Sequence, residues 1–279
     1  MLSIIICSIK ENYFHAVSDS IKETIGTIPY EIIRIDNLKE QLSITKAYNK
    51  GAEQSLYPYL LFLHEDVAFL SSNWGEELIN VLSKKEIGVV GLAGSKRKFK
   101  LPTGHYSGAN NNYDFSFVRQ RGYQNKDREN IQPNIEIKVL DGVFLACSKK
   151  VWEEYRFNES LPPFHFYDLD FSLRVSEEYR NYLVPSIVLE HFSMGNFDEK
   201  WIKASLAFHK EEYKFDIADE SEIENIQSFW YERLKGEQIS FITRMLFVKE
   251  MRWTMKNYKQ AIKFVLYPYF IMLNKIIRK

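Results

Sequence analysis

The sequence predicts an α/β fold in which helices flank a mostly parallel sheet and an all-helical extension follows it. Short apolar runs alternate with amphipathic segments four times within the first 94 residues, which is typical of a doubly wound sheet. The run over 59–63 is apolar throughout, as expected of a strand that is buried on both faces. Beyond residue 196 the pattern is helical. We therefore predict two domains, over residues 1–196 and 197–279.

The composition supports a large folded core and argues against nucleic acid as a partner. Of the 279 residues, 45% are hydrophobic and 15% are aromatic, which suits one large α/β domain with an appendage. Lys and Arg number 37, the same as Asp and Glu, so the formal net charge is zero. The basic excess that nucleic-acid binding usually requires is missing.

The sequence also predicts a cytoplasmic protein. Cys7 and Cys147 lie in apolar runs, as buried thiols in a reducing compartment do. The N-terminal apolar run is too short for a signal peptide, and no segment reaches the roughly 20 apolar residues of a membrane span.

The first two units follow directly from the N-terminus. Residues 2–9 are nearly all apolar and predict the first strand. Residues 13–25 carry apolar side chains at helical spacing, and Gly26 and Pro29 end this helix. Residues 30–35 predict the second strand.

The third and fourth units repeat the alternation. Ser43 begins a predicted helix that runs to residue 53. Residues 59–63 are aromatic and branched and predict a buried strand. A helix over 73–82 and a strand over 88–93 complete the fourth unit.

A polar stretch over residues 95–133 then interrupts the alternation. It is rich in Gly, Asn, Lys and Arg, and a loop of this length is usually functional or mobile. After it we predict strands over 135–140, 143–147 and 182–189, a helix from 149, and a second helix that follows residues 165–170 and ends near 179. In the extension we predict helices over 197–213, 223–234, 241–256 and 258–279.

Polar side chains follow several of the predicted strands. His64, Glu65 and Asp66 come directly after strand 59–63, and two carboxylates with an imidazole suit a divalent cation that carries a phosphate. The other such residues are Ser8, Glu11, Asp36, Asp141, Asp168, Asp170 and His191. Because ligands of open parallel sheets bind at the carboxyl ends of the strands, we expect these side chains to converge.

Each of these residues also has a simpler structural explanation. Asp66 could cap a turn, and Asp36 could form one. Asp168 and Asp170 could cap the helix that follows them. His191 could be a hydrogen-bonded histidine of the core.

In their order along the chain, these motifs resemble the inverting, GT-A-fold glycosyltransferases of family 2, in particular a bacterial glycosyltransferase-like branch. The similar segments are Ile-Ile-Ile-Cys-Ser, Ile-Arg-Ile-Asp-Asn, Ala-Tyr-Asn-Lys-Gly, Phe-Leu-His-Glu-Asp-Val, Asp-Gly-Val-Phe-Leu-Ala, Phe-Tyr-Asp-Leu-Asp-Phe-Ser-Leu-Arg and Leu-Glu-His-Phe-Ser. The resemblance implies a GT-A-type catalytic domain over residues 1–196 that binds a nucleotide sugar. It does not cover the helical extension over 197–279.

The resemblance assigns the donor site position by position. Ser8 and Asp36 would hold the nucleotide base. The remaining nucleotide-binding positions would be Glu11, Asn49, His64 and Glu65, and the positions that border the donor sugar and the acceptor would be Asp141, Gly142 and Asp170. For Asn49 a packing role is an equal alternative.

The resemblance also implies a metal and a base. Asp66 and His191 would bind a divalent cation, Mn²⁺ or Mg²⁺, at the donor diphosphate, and Asp168 would be the catalytic base. His64 stands where the family has the first acid of its Asp-x-Asp motif, and Tyr167 replaces the usual Glu before Asp168. The first departure leaves open whether His64 contacts the ribose and whether metal binding is weakened.

The reaction implied is sugar transfer from a nucleotide-diphosphate sugar, with a UDP-sugar favoured, to a hydroxyl of a saccharide, lipid-linked or protein-linked acceptor. This would serve the assembly of cell-surface polysaccharides or glycoconjugates. One base and no nucleophilic carboxylate imply direct displacement with inversion. Residues 95–133 would shape the acceptor site or close over the donor.

Two questions stay open at this point. The basic and apolar C-terminal helices could contact the inner face of a membrane, or could pack on the first domain or form a homodimer. The protein could also be a nucleotidyltransferase, although the Gly-rich loop typical of that class does not follow the first strand. A third interpretation is a non-catalytic nucleotide-binding or scaffold protein.

Overall fold

The computed structural model describes residues 1–121, 134–193 and 195–277. The chain forms two compact units. Unit 1 comprises Met1–Lys96 and Phe115–Met194, and unit 2 comprises Arg97–Asp114 and Gly195–Lys279. Much of the loop that we predicted over 95–133 is described, but residues 122–133 lie outside the described part.

The strands are short and most of them belong to unit 1. In chain order they are β1 (Leu2–Ser8), β2 (Tyr30–Asp36), β3 (Tyr59–Leu63), β4 (Val67–Phe69), β5 (Ile87–Gly91), β6 (Ala93–Ser95), β7 (Asp114–Ser116), β8 (Val118–Gln120), β9 (Ile135–Ile137), β10 (Val139–Leu140), β11 (Phe144–Ser148), β12 (Arg180–Leu183) and β13 (Leu189–His191).

The central sheet of unit 1 has the strand order β2-β1-β3-β11-β5-β12-β9. Strands β2, β1, β3, β5 and β12 run in one direction, while β11 and β9 run in the other. The predicted mostly parallel sheet is therefore confirmed. Strand β1 pairs on both edges, and six of its seven residues are buried, which explains its continuous apolar sequence.

Six helices accompany these strands within the described part of unit 1. They are α1 (Glu11–Thr24), α2 (Asn37–Glu40), α3 (Ile44–Gln54), α4 (Trp74–Leu82), α5 (Lys149–Tyr155) and α6 (Tyr167–Val175). The side chain of Ser43 accepts a hydrogen bond from the Lys46 N–H and so caps α3 at the predicted position. Ser148 caps α5 in the same way, through the N–H of Val151.

Two smaller sheets lie beside the central one, with the orders β10-β6-β7 and β4-β13-β8. Their formation corrects three predicted strands. Strand 182–189 is wrong as a single element, because it divides into β12 in the central sheet and β13 in a small sheet. Strands 88–93 and 135–140 divide likewise, where the backbone leaves one sheet and enters another.

Unit 2 is helical in its C-terminal part. Its helices are α7 (Glu199–Phe208), α8 (Glu220–Leu234), α9 (Phe241–Glu250) and α10 (Tyr258–Ile277). Asp219 and Glu222 form a capping box at the start of α8. No helix in the described ranges is long and apolar enough to cross a membrane. The cytoplasmic location stays a prediction.

Candidate functional site

Three side chains from two distant parts of the sequence meet in unit 1. His64, Asp66 and His191 each offer one ligand atom, and these atoms all lie within 4.8 Å of one another. The Asp66 Oδ1 atom is 3.3 Å from Nε2 of His191 and 4.0 Å from Nδ1 of His64. All three side chains are partly buried. A carboxylate between two imidazoles is a donor set that transition-metal ions accept.

Strand pairing builds this cluster. His64 follows β3, and its N–H donates to the Val143 carbonyl at 3.2 Å. Strand β4 then begins at Val67 and pairs antiparallel with β13, so that His191 stands opposite Val67. The N–H of Phe192 extends this ladder by donating to the carbonyl of Asp66 at 2.9 Å. The cluster therefore depends on a small sheet that the sequence analysis did not predict.

Tyr167 fixes the ring of His64. The phenol oxygen lies 3.0 Å from Nε2 of His64 and donates to the Gly142 carbonyl at 3.2 Å. The hydroxyl has one proton, and the assignment that satisfies both contacts gives it to the Gly142 carbonyl and places the His64 proton on Nε2. Nδ1 then keeps its lone pair on the side of Asp66. A hydrogen bond that sets the tautomer in this way is common for histidines that bind metals.

The pKa shifts of Asp66 and His64 favour the binding of a cation. Burial by itself would raise the pKa of Asp66, but hydrogen bonds from His191 and Ser193 outweigh this effect and lower the pKa. Burial lowers the pKa of His64, and the nearby His191 ring lowers it further. Near neutral pH, Asp66 is thus an anion and His64 is neutral, which are the protonation states that metal binding requires.

His191 has a polar partner on each ring nitrogen. Its Nδ1 lies 3.4 Å from Nε2 of Gln120, and its Nε2 lies 3.3 Å from the Ser193 hydroxyl. The buried Oε1 of Gln120 has no hydrogen-bond partner among the described residues. Turning this amide over would let Nδ1 donate to Oε1, and Nε2 would then offer a lone pair to a cation in place of its hydrogen bond to Asp66. The residues present therefore fit a metal ion.

Ser8 and Asp36 lie side by side at the carboxyl ends of two parallel strands. They are paired in register in β1 and β2. The Ser8 hydroxyl is fully buried, with no hydrogen-bond partner in the part of the chain that the structure describes. Asp36 forms an ion pair with Lys39 at 2.8 Å, and this hydrogen bond lowers its pKa. A buried hydroxyl without a partner among the described residues is uncommon in a folded protein, and this one lies at a strand end.

Two other residues that were predicted to bind the nucleotide instead form hydrogen bonds or ion pairs with other parts of the protein. The Glu65 carboxylate accepts from the N–H groups of Ile9 and Lys10 at 3.1 and 3.2 Å, and so supports the loop after β1. Glu11 lies at the start of α1 and forms a bidentate ion pair with Arg34, whose two guanidinium N–H groups donate at 2.9 and 2.6 Å.

Asn49 and Asp170 are integrated into the core. The side-chain amide of Asn49 forms hydrogen bonds with the backbone N–H and carbonyl of Phe157, and with the side chains of Trp152 and Glu159. These contacts favour the packing role over contact with a nucleotide. Asp170 is 1% exposed and accepts two hydrogen bonds from Arg174, at 3.0 and 2.6 Å. Asp170 therefore forms a buried ion pair within α6.

Asp168 is connected to the cluster by a chain of hydrogen bonds. Its Oδ2 accepts from the Gly142 N–H at 2.9 Å, and the carbonyl of Gly142 accepts from Tyr167, which contacts His64. A side chain at position 142 would collide with the Tyr167 hydroxyl, so this close approach requires glycine. Asp141 accepts from the N–H of Val143 at 3.0 Å.

Sequence reasoning missed the supporting residues more than the ligands. Tyr167 stood out as a departure from the family motif, but nothing indicated that it contacts His64. Gln120 lies in a stretch that we interpreted as a loop, and no pattern in the sequence marks it.

The sequence profile of a family described as glycosyltransferase-like matches residues 3–220. No curated protein matches the chain. Among solved structures, GalNAc-T7 with UDP, GalNAc and Mn²⁺ is similar with a TM-score of 0.52 and 12% identity, over 94% of this chain and 57% of that one.

A second similar structure is TarS residues 1–349 from S. aureus, with a TM-score of 0.49 and 9% identity, over 95% of this chain and 80% of that one. The likeness to GalNAc-T7 concerns the fold, and the present chain spans a little over half of that protein's length.

Proposed function

Because the chain belongs to the glycosyltransferase-like family that matches residues 3–220, we propose that it transfers a sugar from a nucleotide-diphosphate sugar to a hydroxyl acceptor, with inversion at the anomeric carbon. The observation that carries this proposal is the cluster of His64, Asp66 and His191 at the rim of a GT-A-type sheet. We favour a UDP-sugar as donor. The UDP in the GalNAc-T7 structure, which shares the fold, supports this choice.

Asp66, His191 and His64 would hold a divalent cation. When bound, such an ion offsets the negative charge that develops on a diphosphate leaving group. Two imidazole nitrogens are poor ligands for Mg²⁺, which prefers oxygen, so we favour Mn²⁺. Tyr167 and Gln120 would orient the two imidazoles toward it.

Ser8 and Asp36 would contact the nucleoside. The unpartnered hydroxyl of Ser8 and the carboxylate of Asp36 are adjacent at the ends of β1 and β2. Glu65 would act indirectly, because it holds the backbone of the loop that follows Ser8.

Asp168 would be the catalytic base. The acceptor oxygen forms a bond to the anomeric carbon while the bond from that carbon to the diphosphate breaks, and Asp168 takes the hydroxyl proton. The Gly142 N–H holds one carboxylate oxygen of Asp168, and Asp141 and Gly142 would border the sugars. The acceptor would be a saccharide, lipid-linked or protein-linked hydroxyl in the assembly of a surface polysaccharide or glycoconjugate.

The first test is a thermal-shift screen of nucleotide sugars with and without Mn²⁺ or Mg²⁺. A ligand at about 100 times its Kd stabilises the folded state by about 2.7 kcal/mol, which such a screen detects. We expect stabilisation by a UDP-sugar only with the metal. Lack of binding under every metal condition would favour the non-catalytic scaffold.

The second test separates the base from the binding groups. Asp168→Asn keeps an oxygen that can accept from the Gly142 N–H but removes the base, so we expect transfer to fall by roughly 10²–10⁴-fold with donor binding unchanged. The exposed Asp19→Asn on α1 is the matched control. Full activity of the Asp168 variant would reject this residue as the base.

A further inference from the structure

The last two helices of unit 2 each expose an apolar face. On α9 the exposed apolar side chains are Phe241, Ile242, Met245 and Leu246, and on α10 they are Tyr258, Ile262 and Leu266. Ile242 is 71% exposed and Ile262 is 52% exposed. In each helix these positions recur at the spacing of a single face. Seven exposed large apolar side chains on two helices are more than isolated surface residues.

The core of unit 2 is built from the other faces of the same helices. Phe247 and Phe264 are fully buried and lie 5.7 Å apart between ring centroids. The buried Arg244 of α9 donates to the Phe264 carbonyl of α10 at 2.9 Å. The two helices are thus fixed to each other, and the exposed apolar residues are not needed for that contact.

The charge of this part of the chain is strongly biased. Residues 241–279 contain nine Lys or Arg and one Glu, so the other 240 residues contain 28 basic and 36 acidic residues. Lys249, Lys259 and Lys263 are exposed and lie within one turn of the exposed apolar residues. The neutral total charge is therefore the sum of a basic C-terminal segment and an acidic remainder of the chain.

We propose that the exposed faces of α9 and α10 form a surface that binds an anionic lipid bilayer. Apolar side chains flanked by lysines match the chemistry of such a bilayer, with acyl chains below and negative headgroups around them. Two other partners fit this surface less well. A second copy docked face to face would bring the lysines of both copies together, and these would repel each other. Nucleic acid would pair with the lysines but would leave the apolar residues exposed to water. The surface does not depend on the proposed transfer reaction.

The test is co-sedimentation of the full chain with vesicles of phosphatidylcholine alone or of phosphatidylcholine mixed with anionic phosphatidylglycerol. We expect the protein to bind the anionic vesicles at least about tenfold more tightly, and to lose this preference at high salt. Equal binding to both vesicle types would overturn the electrostatic part of the proposal, and binding to neither would overturn all of it.

Two double variants separate the contributions. Lys259→Glu with Lys263→Glu should weaken binding to anionic vesicles by at least about tenfold, and Ile242→Glu with Leu246→Glu by a similar factor. The controls carry the same changes elsewhere on the surface: Lys84→Glu with Lys85→Glu, and Leu56→Glu, which is 80% exposed in the native protein.

Circular dichroism melting of each variant checks that the fold is kept. Sedimentation velocity gives the competing outcome. A lipid-free dimer that Ile242→Glu with Leu246→Glu dissociates, together with unchanged vesicle binding, would assign the face to a second copy instead.

Discussion

The two units of this protein bury charged side chains in different ways. In unit 2 the guanidinium of Arg244, which is 1% exposed, donates to the backbone carbonyls of Lys235, Glu237, Ile239 and Phe264. In unit 1 the partly buried carboxylate of Asp66 faces the imidazoles of His64 and His191. The groups around Arg244 only accept hydrogen bonds, whereas the imidazoles around Asp66 could themselves bind a metal ion.

This difference shows how to distinguish a structural charge from a functional one. A buried charge whose hydrogen bonds are all made by backbone carbonyls holds chain segments together. A buried carboxylate among neutral groups with lone pairs attracts a cation. Asp170 shows that the distinction does not follow the units, because it lies in unit 1 and is held by Arg174.

The largest expected effect comes from removing the charge of Asp66. Asp66→Asn should lower the affinity for Mn²⁺ and reduce kcat/KM by about 1,000-fold, or about 4 kcal/mol, because the site loses its anionic ligand. Calorimetric titration with Mn²⁺ measures the first quantity. Asp170→Asn is the control, and it should lower stability while the Mn²⁺ affinity is kept. If both variants bound Mn²⁺ as the native protein does, the distinction between the two carboxylates would be wrong.

The next effect concerns unit 2. Arg244→Met keeps much of the side-chain volume but leaves four carbonyls without their donor, so the free energy of unfolding should fall by about 3 kcal/mol. Urea denaturation measures this free energy of unfolding.

Thiol labelling tests whether unit 1 stays folded in this variant. Both cysteines lie in unit 1, and burial raises the pKa of Cys7 to about 12, so native thiols should react slowly at pH 8. If the cysteines are still labelled slowly at urea concentrations at which the variant has lost helix, then unit 2 unfolds while unit 1 stays folded.

A smaller effect is expected at the residue that orients His64. Tyr167→Phe removes the hydroxyl that accepts from Nε2, so the affinity for Mn²⁺ should fall by roughly 10–100-fold, as is usual when such a supporting group is lost. Electron paramagnetic resonance of bound Mn²⁺ gives both the affinity and the ligand field. Tyr179→Phe, which removes a hydroxyl bonded to Glu154, is the matched control. Equal affinities in the two variants would contradict a role for Tyr167 in orienting the ring.

The smallest effect is a pH dependence in unit 2. A hydrogen bond from Lys203, and others from Ser240 and Thr243, lower the pKa of Glu199 to about 2 from an ordinary value of 4.5. Because the folded-state pKa is the lower one, the stabilisation is present above pH 4.5 and is lost as the pH falls toward about 2. Glu199→Gln should therefore show a weaker dependence of the urea midpoint on pH in this window. Parallel curves for the two proteins would exclude Glu199 as the source.

The sequence predicted the central sheet well because its signals are local. Strand 59–63 and the cap at Ser43 depend on residues that are neighbours in the chain, and both are found as predicted. The sheet changes after β5, β9 and β12 were missed, because an apolar run looks the same whether it continues in one sheet or enters another.

For the candidate site, the reasoning from strand ends correctly expected Asp66 and His191 to meet, but for an incomplete reason. His191 belongs to β13, and the pairing of β13 with β4 brings the two residues together. Contacts such as those of Tyr167 with His64 and of Asn49 with Phe157 join residues about a hundred positions apart, and no local pattern specifies them.

The pairing of β4 with β13 also has a consequence for the order in which the protein matures. Val67 and His191 are 124 positions apart, and chains that depend on contacts of such long separation fold slowly. During synthesis the ribosome must release residue 191 before the third ligand exists. Nascent chains therefore have no complete cluster with which to capture a cation, and metal loading would report that unit 1 has finished folding.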